Sequence, residues 1–203
     1  MRVDIKNSNR LANAIKILTG ESLDNPISGI TTDSRNCKPG DLYVALNGIR
    51  SDGHQYINEV QRKNASAALV SELSVNGELK IKQILVKNTK IALGLIANIW
   101  RKNFDIPVIA ITGSNGKTST KELLNHVLND KYNVHATQGN YNTSIGLPLS
   151  LLEINKYHDI SIVEMGANQP GDIQYLCEIA EPTHGMITNI SSAHLEGFHS
   201  VEN

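Results

Sequence analysis

Asp105-Ile-Pro-Val-Ile-Ala-Ile-Thr-Gly-Ser-Asn-Gly-Lys-Thr-Ser-Thr-Lys-Glu-Leu-Leu124 is the stretch that decides the fold. Val108 to Ile111 form an unbroken apolar run, the pattern of a parallel strand covered by helices on both faces. Gly113 and Gly116 free the backbone to turn its N–H groups around an anion. A helix opening at Lys117 adds the positive end of its dipole at the same point. In a strand–turn–helix of this kind Lys117 is placed to reach the outer phosphates of a nucleotide, and the Thr118 hydroxyl to hold a Mg²⁺ ion. The pattern G-x-x-x-x-G-K-[ST] would put its first glycine at position 111, where the chain has Ile111; the loop is therefore a shortened form, T-G-S-N-G-K-T.

Working outward, the helix after the loop is expected to bury Leu123, Leu124, Val127 and Leu128. A strand from about Tyr132 to Ala136 leads into Thr137-Gln-Gly-Asn-Tyr-Asn-Thr143, a loop crowded with amides and hydroxyls, and Pro148 starts a helix over Leu149–Leu152. Ile160 to Met165 reads as a buried strand with Glu164 near its C-terminal end. A helix from Gly171 to Ala180 turns Ile173, Leu176 and Ile179 inward, and a strand over Gly185–Ile190 has His194 just past its end. Alternating strands and helices make a doubly wound parallel sheet, whose ligands collect at the C-terminal strand ends. Thr112–Lys117, Thr137–Asn142, Glu164 and His194 all fall at such ends. Beside a phosphate loop, Glu164 has the position of the acidic residue that assists Mg²⁺.

Before this stretch, Asn88–Lys102 reads as a helix with Ile91, Ala92, Leu95, Ile96 and Ile99 on one face, and a domain boundary is placed near Val86. The first module, residues 1–86, holds a short helix over Asn9–Leu18, strands at Asp41–Leu46, Ala67–Val70 and Gln83–Val86, and a helix over Tyr56–Lys63. It reads as a small α/β module; by their chemistry alone Asp33, Ser34, Arg35, Asp52 and His54 fit turn and surface positions equally well.

The 203 residues suffice for one large or two small domains. A net charge of −1 with 4% aromatic residues gives no general attraction to nucleic acid and no base-stacking surface. No apolar run approaches a membrane span, and the N-terminus lacks the apolar core of a signal peptide. Cys37 and Cys177 lack metal-ligand spacing and read as free thiols of a reducing compartment, so a cytoplasmic location is expected. His194 and His199 have no further ligand to complete a zinc site.

The blocks T-G-S-N-G-K-T-S-T-K-E-L, T-x-G-N-x-N, I-G-x-P-L-x-L-L, V-E-M-G-A-N-x-x-G-D-I and I-T-N-I-x-x-A-H-L-E-G-F run in this order over residues 112–198. Together they closely resemble the Mur ligases, and among these the member that adds the last dipeptide of the peptidoglycan precursor. In the first module T-D-S-R, G-D-L-Y-V-A-L-x-G and D-G-H resemble the UDP-sugar-binding domain of the same family. The resemblance implies a UDP-sugar-binding domain over residues 1–86 and an incomplete ATP-binding domain over 87–203. It further implies ATP-driven amide synthesis with ATP and Mg²⁺, joining D-alanyl-D-alanine to UDP-N-acetylmuramoyl-tripeptide through an acyl phosphate.

On that basis Gly113, Ser114, Asn115, Gly116, Lys117, Thr118 and Ser119 form the ATP loop. Thr118, Glu164 and His194 hold metal, and Lys117, Glu164 and His194 are catalytic. Thr137, Asn140, Asn142 and Thr143 contact the muramoyl-peptide; Ser34, Arg35, Asp52, Gly53 and His54 shape the uridine-diphosphate end. Thr143 stands where a second Asn is expected, and His199 where a Gly is common. A chain ending at Asn203 resembles the front part of such a ligase, inactive by itself and monomeric in full-length form. The alternatives are an earlier-step Mur ligase or a folylpolyglutamate synthase-like enzyme, or a non-catalytic module that binds a UDP-sugar or nucleotide.

Overall fold

The computed structural model describes residues 1–48, 51–74 and 79–191. The chain divides into two compact units, Met1–Trp100 and Arg101–Asn203.

In the first unit, five strands run in the order β1 (Arg2–Asp4), β2 (Gly29–Thr31), β3 (Asp41–Val44), β4 (Ala67–Val70), β5 (Lys82–Leu85). The β1–β2 pair is antiparallel and the remaining pairs are parallel. Sequence reading leaves out β1 and β2, each only three residues long and too short to show a period. The buried Asp41 carboxylate holds this end of the sheet together. It accepts from Arg2 Nε at 2.8 Å and Arg2 Nη2 at 2.9 Å, and from the Lys38 amide at 2.9 Å. Gly29 leaves room for that cluster, since a Cβ there would lie 2.6 Å from both Arg2 Nη2 and Asp41 Oδ1.

Helices α1 (Ser8–Thr19) and α2 (Ile57–Arg62) bury Leu11, Ile15, Ile57 and Val60; α2 is preceded by a 3₁₀ turn, Gly53–Tyr56, rather than starting at Tyr56. Helix α3 (Thr89–Arg101) clusters largely with this unit, its Thr89 Oγ1 donating to Ala45 O at 2.7 Å. The compact units thus part after Trp100, not near Val86. The buried stripe of α3 is Ala92, Leu93, Ile96, Ala97 and Trp100; the expected Ile91 and Leu95 are half exposed. With apolar residues nearly all round this helix, periodicity cannot choose the face, and the bulk of Leu93 and Trp100 does. Ile91 and Leu95 instead line an open cleft of about 480 Å³ with Leu18 and Leu85.

The second unit is a four-stranded parallel sheet in the order β7 (Val134–Ala136), β8 (Ile160–Glu164), β6 (Val108–Thr112), β9 (His184–Ile187). Helix α4 (Lys117–Leu128) connects β6 to β7 and packs on β6, β7 and β8. Helices α5 (Gly146–Leu151) and α6 (Asp172–Ala180) carry the later crossovers and pack on each other. Because the chain leaves β6 in one direction along the sheet and β8 in the other, right-handed crossovers put α4 on the face opposite α5 and α6. This is the doubly wound arrangement, with its switch point between β6 and β8.

Three details of this unit differ from expectation. Helix α5 begins at Gly146, so Pro148 sits in its first turn, where a missing N–H costs nothing. Strand β9 spans His184–Ile187 as an exposed edge among the described strands. In α4, Leu123 and Val127 are exposed; Leu124 and Leu128 pack partly buried on Ile111, Ala136 and Ile162, and the one fully buried side chain is Lys121. The inner stripe is therefore 121, 124, 128, a helical spacing of three and four.

His135 on β7 is buried, with Nδ1 2.8 Å from Ser161 Oγ and its ring 5.5 Å from that of His158. Burial, with a smaller contribution from His158, pushes its pKa down from 6.5 to about 4. The folded state thus keeps the neutral ring where the unfolded chain already takes a proton. The stability this contributes is full above pH 6.5 and is lost as pH falls towards 4, by roughly 3 kcal/mol in all. Urea titrations of the native chain between pH 7 and 4 should show this decline beyond that of a His135→Leu variant; equal slopes would disprove it.

Candidate active site at the β6–β8 switch point

Local chemistry builds the loop. Gly113 has φ +133° and Gly116 φ +81°, both in the left-handed half of the map that favours glycine. Gly116 caps α4 with no side-chain hydrogen bond, so the first-turn N–H groups of a twelve-residue helix point into the loop. Lys117 Nζ folds back over it, donating to Gly113 O at 2.6 Å and Ser114 O at 3.2 Å.

The other wall of the loop is the segment after β9, which sequence reading placed only as strand. Ser114 N–H donates to Asn189 O at 3.0 Å and Asn115 N–H to Asn189 Oδ1 at 2.9 Å. Thr188 Oγ1 donates to Asn115 O at 2.6 Å, and Ser114 Oγ donates to Ser191 O at 2.9 Å. Thr188, Asn189 and Ser191 therefore belong to the site. The I-T-N-I block covers Thr188 and Asn189 but not Ser191, and it says nothing of which loop they brace.

At the end of β8, adjacent to β6 with Glu164 in register with Ile111, the Glu164 carboxylate is buried. Thr118 Oγ1 donates to its Oε2 at 2.9 Å, and Asn142 Nδ2 to its Oε1 at 2.8 Å. Three residues separated by up to 46 positions thus meet at one carboxylate. A hydroxyl and a carboxylate beside a helix N-terminus are hard oxygen donors, a set that suits Mg²⁺.

Thr137 is buried: its N–H donates to Ile162 O at 3.0 Å and its Oγ1 accepts from Glu164 N at 3.2 Å. It holds the loop rather than facing outward. Asn140 and Ser119 are exposed. Thr143 Oγ1 accepts from Gly146 N at 3.2 Å, two residues ahead of Ile145, the N-cap of α5; an Asn side chain could accept the same bond. His194 and His199 lie outside the described residues.

The residues expected at the uridine end sit on loops following the neighbouring strands β2 and β3. Ser34 is buried, its hydroxyl donating to Glu59 Oε2 at 3.0 Å, while Lys63 Nζ donates to the Ser34 and Arg35 carbonyls at 2.7 and 3.1 Å. The Arg35 guanidinium, 84% exposed, pairs with Asp33; that pairing draws the Asp33 carboxyl down to about 2. His54 is buried, with Nδ1 2.6 Å from Asp52 Oδ1 and Nε2 accepting from Ser71 N at 2.9 Å. The tautomer that satisfies both is neutral, protonated on Nδ1. Asp52 is held below the usual carboxylate range, first by the His54 N–H. Asp52, His54 and Glu72 gather within 4.8 Å, but both ring nitrogens are already engaged, which leaves no lone pair for an ion. Gly53 lies against the segment just past β3, where a Cβ would meet Leu46 N at 2.7 Å. Ser34, Gly53 and His54 thus set the shape of this rim from inside, and Arg35 is the group that faces solvent.

The family model of the Mur ligase middle domain matches residues 111–203, and that of the Mur ligase family catalytic domain matches residues 26–101. The chain belongs to the Mur ligase family. The UDP-N-acetylmuramoyl-tripeptide–D-alanyl-D-alanine ligase of Synechocystis sp. is 44% identical over 186 residues, which cover 91% of this chain and 41% of the relative. Crystal structure I of MurF from Acinetobacter baumannii superposes with a TM-score of 0.88 at 34% identity, covering 94% of this chain and 43% of that one. The MurF ligase of Thermotoga maritima, crystallised in complex with ADP, has a TM-score of 0.79 at 40% identity, covering 85% and 40%. The chain thus spans about two-fifths of the length of these relatives. Among the described residues no helix is long and apolar enough to cross a membrane.

A Cβ at position 113 would lie 2.3 Å from Thr188 Oγ1 and 2.9 Å from Asn189 O, whereas one at 116 meets nothing within 4 Å. Gly113→Ala should push the loop off its wall, speeding hydrogen exchange at the Ser114 and Asn115 amides. Gly116→Ala should cost only the backbone strain, about 1–2 kcal/mol. Equal exchange at Ser114 and Asn115 in the two variants would show that the wall does not brace the loop.

Proposed function

We propose that the protein carrying this chain is an ATP-dependent ligase that joins D-alanyl-D-alanine to the tripeptide carboxylate of UDP-N-acetylmuramoyl-tripeptide, in the cytoplasm. The observation that carries this reading is the meeting of Thr118 and Glu164 at 2.9 Å beside a glycine-turned helix N-terminus. The names of the relatives, one of them crystallised with ADP, support it.

In this reading the second unit binds ATP and the first binds the UDP-sugar. The first-turn amides of α4 hold the phosphates, and Lys117 exchanges its bonds to Gly113 and Ser114 carbonyls for the β- and γ-phosphate oxygens. Thr118 and Glu164 would hold Mg²⁺, with His194 as the third candidate; the ion supplies neutralisation of charge on the transferring phosphoryl group. The substrate carboxylate attacks the γ-phosphorus, ADP leaves, and an acyl phosphate forms. The dipeptide amine then adds to the acyl carbon, and phosphate departs as the amide forms. Asn142 keeps the Glu164 carboxylate oriented, and Asn140, exposed on the same loop, is available to the muramoyl-peptide. On the first unit the exposed Arg35 guanidinium, paired with Asp33, is the candidate cation for the diphosphate.

Lys117→Ala in the full-length protein should lower ATP-dependent phosphate release by about 10²–10³-fold or more with the melting temperature unchanged, because its ammonium has no core role. Full turnover in a folded Lys117→Ala protein would refute the assignment. Glu164→Gln should raise the Mg²⁺ concentration needed for half-maximal rate by at least about 10-fold while sparing affinity for the UDP-substrate. Loss of fold with activity retained in the folded fraction would instead make Glu164 structural.

A further inference from the structure

We propose that Lys121 is a positioning residue that ties the nucleotide-binding helix α4 to the loop Thr137–Asn142, and so sets the acceptor substrate's place relative to ATP. The inference rests on the ligase reading above.

Lys121 is fully buried, on the same face of α4 as Thr118 three residues earlier. Its Nζ donates to the Thr137 carbonyl at 2.6 Å and pairs at 2.9 Å with Glu122 Oε1, whose side chain is exposed. Burying a lysine is costly, and a methionine of similar length would fill the same space without a charge to desolvate. What the lysine adds is a charge-assisted bond to one carbonyl.

That carbonyl stands where β7 has ended and the loop begins, Thr137 N–H making the last sheet bond, to Ile162 O. The bonds then form a closed circuit. Lys121 grips Thr137; Thr137 Oγ1 accepts from Glu164 N; Glu164 accepts from Thr118 on α4 and from Asn142 at the far end of the loop. The loop is thereby tethered to α4 at both ends, directly at Thr137 and through Glu164 at Asn142. Without Lys121 the Thr137 end keeps only its bonds to β8, and its distance from the phosphate loop is no longer set by α4.

The test uses Lys121→Met in the full-length protein. The expected result is a KM for UDP-N-acetylmuramoyl-tripeptide raised about 10-fold or more, the affinity for ATP within about twofold, and faster hydrogen exchange at the 138–142 amides but not along α4. Lys121→Gln, which keeps an N–H donor, should recover part of the KM; it also decides the matter by the same measurements if the Met variant does not fold. Leu124→Ala serves as the control, loosening the same face of α4 without touching Thr137. An unchanged KM and unchanged exchange in a folded Lys121 variant would overturn the proposal, as would an equal KM increase in Leu124→Ala. Failure of the ligase reading shows separately, as ATP-dependent turnover that survives Lys117→Ala.

Discussion

A single buried carboxylate organises the second unit. Glu164 sits at the end of β8 with almost no exposed surface, and it is kept there by Thr118 from α4 and Asn142 from the loop after β7. A carboxylate removed from water needs such donors, since an unpartnered one would be far too costly to bury. The three elements that supply and receive them are the ones that the switch of chain direction brings together. Strand order therefore does more than give the fold its class; it delivers a buried carboxylate to the mouth of the glycine-turned loop that opens α4.

The first unit solves a comparable problem differently. Its charged anchor, Asp41 with Arg2, lies at the N-terminal ends of the parallel strands and has a structural duty. The loops on the opposite rim are held by short-range caps and buried polar bonds: Asp33 to the Arg35 amide, Asp52 to the His54 amide, His54 to Ser71. Such internally satisfied loops present a preformed surface, which lowers the ordering cost of binding a ligand.

Much of this was legible in the sequence, and for identifiable reasons. The glycine turn before α4, the Glu164 strand end and the Thr137–Asn142 loop are legible because glycine pairs, unbroken apolar runs and breaker residues act locally, within a few residues of where they stand. The same locality explains the misses. Strands β1 and β2 are too short to carry a period. Thr188, Asn189 and Ser191 brace a loop more than 70 residues earlier in the chain, and nothing in their own neighbourhood marks them for it.

Helix α4 draws the line most clearly. Sequence by itself determined that a helix opens at Lys117 and that a leucine-bearing face packs on the sheet, because helix propensity and capping depend on neighbours in the chain. It could not determine the phase of that face: hydrophobicity favours Leu123 and Val127, yet both are exposed while Lys121 is buried. Tertiary structure decided this, since the helix is rotated so that Thr118 reaches Glu164 and Lys121 reaches the Thr137 carbonyl. A buried polar bond between elements far apart in sequence outweighed one position of apolar periodicity, and the partners that make it are known only once the strands have found their order.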